Sequence, residues 1–190
     1  MIINDFDLRN YIVIPDANAF MHKYFQRFLK NEIVAAINNV RCTEDGKNFF
    51  MYIPTAVMEE LENISKRKGT EYLQQRTDAI DGQNLANRLV EAGYARFMKS
   101  DYTGTNKRFN DVAMLTIFME LRRHRDIALI TNDRKFATDA IGLNWLHSVN
   151  SSYEIKALFV DLKKNVLAEW LLDPPSDDRI ATRFPNENLK

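Results

Sequence analysis

With Cys42 as its only cysteine, the 190-residue chain can close no intramolecular disulfide and build no cysteine-rich zinc site. Such a composition suits a reducing compartment. It also lacks a surplus charge: lysine plus arginine and aspartate plus glutamate both number 26. No global field therefore draws in a polyanion, and a nucleic-acid partner needs a local basic patch or bound metal. No apolar run approaches the ~18 residues that cross a bilayer, and the opening MIINDFDLRN lacks the basic-then-apolar order of a signal peptide. The expectation is a cytoplasmic protein with no membrane partner. Missing too are a G-x-S-x-G elbow, a Walker loop and a G-x-G-x-x-G fingerprint, and His22, His124 and His147 stand without a recognisable catalytic partner. Neither a side-chain nucleophile nor a nucleotide-driven motor is in view.

What is present is an ordinary core-forming composition, 45% apolar and 27% charged, which excludes a disordered tail, a collagen-like chain and a coiled coil. A chain of this mass can bury about 70% of its unfolded surface, and one domain is the expectation. Short β-rich runs alternate with longer segments whose apolar residues recur at three and four, an α/β pattern. Strands are predicted at 11–14, 49–53, 94–98, 127–130 and 144–149. Helices are predicted at 17–29, 32–40, 55–66, from the break at 66–69 to about 92, at 109–124, from the turn at 132–133 to 141, and at 153–172. Residues 43–47 and 100–106 read as loops, and Pro54 suits a first helical turn. The segment from Pro174 to Asp178 reads as a linker or frayed tail.

Acids recur where predicted strands end and helices begin, which is where open parallel sheets bind ligands. Asp16 follows the first strand and Asp133 follows the strand at 127–130. Either carboxylate also makes a good helix N-cap, so each position alone has two readings. Helical phase separates the acids of the 55–66 segment. With Val57 at zero, Leu61 and Ile64 centre the apolar face, Glu59 points away from it, and Glu60 lies at about −60°, on its edge. Asp111 projects from the middle of an apolar stripe formed by Met114, Leu115 and Phe118. A helix-start acid is stabilised by the dipole, but an unpaired buried charge is costly. Four inward acids would repel and raise one another's pKa unless a cation neutralised them. Hard oxygen donors select Mg²⁺ or Mn²⁺ over zinc and suit phosphodiester chemistry.

The residues that carry these acids form a recognisable set: Ile14-Pro15-Asp16-Ala17-Asn18, Ile53-Pro54-Thr55-Ala56-Val57-Met58-Glu59-Glu60-Leu61, Asn110-Asp111-Val112-Ala113 and Leu129-Ile130-Thr131-Asn132-Asp133-Arg134. In order and placement the set resembles the PIN domains, metal-dependent nucleases of the wider 5′-nuclease-like fold. The resemblance implies a three-layer α/β/α sandwich around a mainly parallel sheet. It covers a nuclease domain over residues 1–150; the residue pattern adds a helical extension of the same domain at 151–173 and a linker or tail at 174–190. The resemblance further implies that Asp16, Glu60, Asp111 and Asp133 form the catalytic, metal-binding cluster for Mg²⁺ or Mn²⁺, with Asn18 and Thr131 supporting it.

The activity implied is divalent-metal-dependent hydrolysis of single-stranded RNA, as an endoribonuclease, with DNA as the other candidate strand. Implied partners are a second copy of the chain, an antitoxin, or a fused RNA-handling ATPase domain; Lys66-Arg67-Lys68-Gly69 and Thr131-Asn132-Asp133-Arg134 look most like the ATPase-linked members. Basic residues flank three of the acidic segments and form a candidate rim for the strand: Lys66, Arg67 and Lys68; Lys107 and Arg108; Arg134 and Lys135. Arg122, Arg123 and Arg125 read as complements to a helix end. Phe109, Phe118 and Trp145 read as core. Two other readings compete. One is a PIN-like scaffold that binds RNA or protein without cutting. The other is a haloacid-dehalogenase-type phosphatase, weakened because Asn18 stands where its general acid belongs.

Overall fold

The computed structural model describes residues 2–3, 6–7, 10–35, 37–38, 50–99, 110–146, 153–161 and 166–172. Its centre is a six-stranded sheet. A two-residue pair, β1 (Ile2–Ile3) and β2 (Phe6–Asp7), stands apart from it. The sheet comprises β3 (Tyr11–Pro15), β4 (Phe50–Pro54), β5 (Ala95–Met98), β6 (Asp126–Ile130), β7 (Ile155–Asp161) and β8 (Val166–Glu169). Their spatial order is β5-β4-β3-β6-β7-β8, parallel throughout except for the antiparallel β7–β8 pair.

The central strands are short apolar runs with no polar alternation, the pattern of strands covered on both faces. Val13, Ile14, Ala128 and Leu129 are fully buried. The chain leaves β3 for β4 and β5 on one side, then returns across it to β6 and β7 on the other. Right-handed crossovers therefore put the helices of the first half on one face and those of the second half on the other. The first group is α1 (Ala17–Met21), α2 (Lys23–Phe28), α3 (Thr55–Ser65) and α4 (Leu73–Glu91); the second is α5 (Asn110–Leu121) and α6 (Arg134–Gly142). This is the expected α/β fold with three layers. The order of strands reverses at β3, so β3 and β6 open a crevice at their carboxyl ends.

Helices α3 and α4 form an αα-hairpin whose connection turns at Gly69, held at φ 110°. Gly82, near the middle of α4, lets that helix approach α1 closely: a Cβ there would lie 2.9 Å from the Phe20 carbonyl oxygen. From Gly82 to the start of α4 is roughly 14 Å of helix at 1.5 Å per residue. The tip at residues 66–72 thus stands well beyond the level of α1.

Three expectations are corrected. The segment predicted as a helix at 153–172 is the β7–β8 hairpin. Its short apolar run satisfies helical and extended spacing alike, and the free edge of β6 decides in favour of a strand. The strand predicted at 144–149 is not formed at its start, because Leu143–Trp145 is a 3₁₀ turn; residues 147–149 lie outside the described residues. Asn144 nevertheless imitates a strand residue, since its side chain accepts from the Ile155 N–H and donates to the Ile155 carbonyl, both at 2.8 Å. The helix predicted at 17–29 breaks at His22, whose extended backbone (φ −87°, ψ 120°) separates α1 from α2. The chain then passes into a π-helical turn, Leu29–Ile33.

Arg122 reaches beyond the end of its own helix. It is buried and donates to the carbonyls of Leu143, Asn144 (3.3 Å) and Tyr153 (2.7 Å), tying α5 to the approach to β7. Phe118 is in the core, as expected, and Trp145 is partly buried against that core; Phe109 lies outside the described residues. So do the predicted loops at 43–47 and 100–106 and the tail from residue 174.

Candidate active site

Where β3 ends at Pro15, the chain turns directly into α1 and Asp16 becomes its N-cap. Both readings of this residue hold at once, because the two carboxylate oxygens are divided between them. Oδ1 accepts the Ala19 N–H at 3.0 Å, and Oδ2 accepts the hydroxyl of Thr131. The Asp16 N–H reaches back to the Ile130 carbonyl at 3.1 Å, locking the ends of the two adjacent strands together.

Only 7% of Asp16 is exposed. Burial pushes its carboxyl up to about 7; hydrogen bonds from Thr131 and Ala19 pull the other way, and the charge of Glu60 pushes it up further. The site thus holds a carboxylate whose ionisation the apoprotein resists, and a cation is the ordinary remedy.

Thr131 is fully buried just past β6. Its hydroxyl donates to Asp16 and accepts the Asp133 N–H at 3.0 Å, joining two of the predicted acids through one oxygen. Asp133 caps α6, its Oδ1 accepting from Lys135 N (2.8 Å) and Phe136 N (3.1 Å). Unlike Asp16, it is exposed.

Glu60 occupies the phase predicted for it. Val57, Leu61 and Ile64 are buried, Glu59 is exposed, and Glu60 is half-buried at the edge of that face. Asp111 falls in the first turn of α5; its side chain lies outside the described residues.

These elements line a small cleft of about 50 Å³, open to solvent. Its polar lining is Asp16, Asn18, Glu60 and Asp133, and its apolar walls include Met114 and Phe136. Asn18, Glu60 and Asp133 therefore meet Asp16 in one place, with Thr131 behind them. The polar side chains of that lining all offer oxygen, and none offers imidazole or thiolate, which fits a hard divalent cation. Among the described residues, no three of His, Cys, Asp and Glu stand close enough together to enclose an ion.

The basic residues separate into two groups. Arg134 and Lys135 are exposed immediately after Asp133, with Lys135 also 3.2 Å from Asp139. Lys66, Arg67 and Lys68 stand apart from the cleft at the hairpin tip. There Lys66 pairs with Glu62, while Arg67 donates to Gln75 at 2.9 Å and lies 5.8 Å from the centre of the Tyr72 ring. Lys107 and Arg108 are outside the described residues.

Sequence reasoning missed two residues that touch the acidic loop. Asn132 accepts the Val160 N–H at 3.1 Å through Oδ1, and the Trp170 indole donates to the Thr131 carbonyl at 3.2 Å. The position of Asn132 between Thr131 and Asp133 was the available signal; Trp170 gave none, because its partner lies 39 residues away.

A carboxylate-lined cleft thus lies at the switch point of a parallel sheet, where α/β folds bind their ligands. The family model described as the PIN domain matches residues 13–152, and the chain belongs to that family. PIN domains are generally nucleases and typically use divalent metals. No match is found among curated proteins. Among the described residues no helix is long and apolar enough to cross a membrane.

Proposed function

We propose that this protein is a divalent-metal-dependent endoribonuclease that hydrolyses single-stranded RNA. The observation that carries the reading is the buried Asp16, sharing one cleft with Glu60 and Asp133 and linked to the latter through Thr131. Asp16, Glu60, Asp111 and Asp133 would hold Mg²⁺ or Mn²⁺, with Asn18 and Thr131 as supporting polar groups. Such an ion supplies Lewis-acid stabilisation of a phosphoryl oxygen and a water of lowered pKa.

The chain's own residues do the positioning. Thr131 fixes the orientation of the Asp16 carboxylate, and the α6 cap fixes Asp133, so neither group must reorganise when charge develops. Arg134 and Lys135, beside Asp133, are suited to the phosphates flanking the scissile bond. In the same reading Lys66, Arg67 and Lys68 at the hairpin tip would hold the strand at a second place away from the cleft, and Lys107 and Arg108 would add further phosphate contacts. In this reading the nuclease domain spans residues 1–150 and its extension at 151–173 contains the strands β7 and β8 in place of a helix, with residues 174–190 outside the domain.

The test is cleavage of end-labelled single-stranded RNA and DNA in Mn²⁺, Mg²⁺ or EDTA, with Glu60→Gln and Asp111→Asn beside the wild type. Metal-dependent internal cuts in RNA, absent from both folded variants, are expected. Cuts that persist in EDTA, or in both variants, would overturn the metal mechanism, and a preference for DNA would overturn the substrate.

A further inference from the structure

The acidic loop that follows β6 is held from the side opposite Asp16 by three bonds, all of them to the β7–β8 hairpin and the residue after it. The Thr131 N–H donates to the Leu158 carbonyl at 2.9 Å. Asn132 Oδ1 accepts the Val160 N–H at 3.1 Å, and the Trp170 Nε1–H donates to the Thr131 carbonyl at 3.2 Å. Thr131 is therefore fixed at its N–H, its carbonyl and its hydroxyl, and a residue held at all three has no freedom to turn its side chain away from Asp16.

Trp170 is itself anchored. Its ring lies 4.4 Å from that of Phe159, and its N–H continues the antiparallel ladder by donating to the Ala157 carbonyl at 2.9 Å. This indole sits at residue 170, well past the stretch matched to the family, which ends at 152.

We propose that Trp170 and Asn132 are positioning residues for the carboxylate site, and that the β7–β8 hairpin acts as a clamp setting the reach of Asp133 and the orientation of Asp16 through Thr131. The proposal rests on the reading of the cleft as a divalent-metal nuclease site. Neither residue touches the reacting phosphate. Their effect falls first on ion affinity and on turnover, because the groups they orient are the proposed ligands, while the basic tip at Lys66, Arg67 and Lys68 stands apart from them.

Two variants separate positioning from folding. Trp170→Phe keeps an aromatic ring beside Phe159 and deletes the indole N–H together with the five-membered ring. Asn132→Ala deletes an exposed side chain that contributes little packing. For each, Mn²⁺ binding to the full chain is measured by calorimetry without RNA, kcat and KM are measured on single-stranded RNA, and a thermal melt confirms folding.

Mn²⁺ affinity is expected to fall about tenfold in at least one variant, the usual scale for outer groups that orient ligands, with kcat reduced and KM unchanged. Wild-type Mn²⁺ affinity and kcat in both folded variants would overturn the clamp while leaving the nuclease reading intact. Should the wild type itself bind no Mn²⁺, the nuclease reading fails and the clamp with it. A change in melting temperature alone, with ion affinity unaltered, reduces these interactions to structural ones and also overturns the proposal.

Discussion

Thr131 donates its hydroxyl to the carboxylate of Asp16, a residue 115 positions earlier in the chain, and with the same oxygen receives the backbone N–H of Asp133. One buried oxygen therefore couples the ends of two neighbouring strands to both of the acids that follow them. Thr131→Val keeps the shape and removes both bonds. Each orphaned buried group costs about 1–3 kcal/mol, so the urea midpoint should fall clearly. Thr131→Ser, which restores the hydroxyl, should recover most of the loss. A valine variant as stable as the wild type would show that the bridge does not form.

The buried Asp16 predicts a pH signature in the metal-free protein. Its carboxyl is pushed up to about 7 from the ordinary 3.8, so the native state keeps a proton that the unfolded chain has already lost. Folding then takes up a proton between about pH 4 and 7. Stability relative to a neutral side chain is lost as pH rises through that window, by a few kcal/mol in order of magnitude. In EDTA, the melting temperature of Asp16→Asn minus that of the wild type should widen from pH 5 to pH 8. A difference that stays flat would contradict a raised carboxyl. Added Mg²⁺ should narrow the gap if the proposed ion binds.

At the hairpin tip, Lys66, Arg67 and Lys68 lie outside the cleft lining, with roughly 9 Å of helix between Glu60 and Lys66, so binding and chemistry should divide. Replacing all three by alanine is expected to weaken single-stranded RNA binding and lower the magnitude of its salt slope by roughly 0.7 for each phosphate that is no longer neutralised. The rate at saturating RNA should hold. Anisotropy titrations at several salt concentrations measure this, and an unchanged slope would remove the tip from the strand's path. Because Lys66 is shared with Glu62, Arg67 and Lys68 are expected to carry most of the effect.

Gly82→Ala reverses an ordinary rule. In an exposed helix this change stabilises by about 1 kcal/mol. Here the new methyl group would lie 2.9 Å from the Phe20 carbonyl oxygen and 3.0 Å from Phe20 Cβ, against a buried and rigid part of α1. Overpacking of this kind costs about 1–3 kcal/mol, so the clash should win and the melting temperature should drop. A variant that melts higher would show that α1 and α4 do not meet closely.

Glu60 was legible because phase on a helix is local arithmetic: Val57, Leu61 and Ile64 define a buried face, and the glutamate falls on its edge. The sheet was legible in its first four strands for a similar reason, since three are short apolar runs closed by a proline or a polar residue and β5, which carries Arg96, follows the turn at Gly93. The hairpin at residues 155–169 was not. Ile155, Ala157, Leu158 and Val160 are buried in a strand, yet their spacing also fits one side of a helix, and nothing nearby in sequence reveals that β6 offers an unpaired edge. Asn144 misled in a related way, because a side chain there does the pairing expected of a backbone.

By itself, then, the sequence determined which acids stand at strand ends, which helix face carries Glu60, and the α/β class, because these follow from propensity and period along a continuous segment. Tertiary structure alone decided that Asp16 loses its water and rises in pKa, that Thr131 serves two acids at once, and that Trp170 reaches the loop from the far side of a hairpin. Desolvation depends on everything packed around a group, and a hydrogen bond across 115 residues depends on the order of strands in the sheet. Neither quantity is carried by any local stretch of the chain.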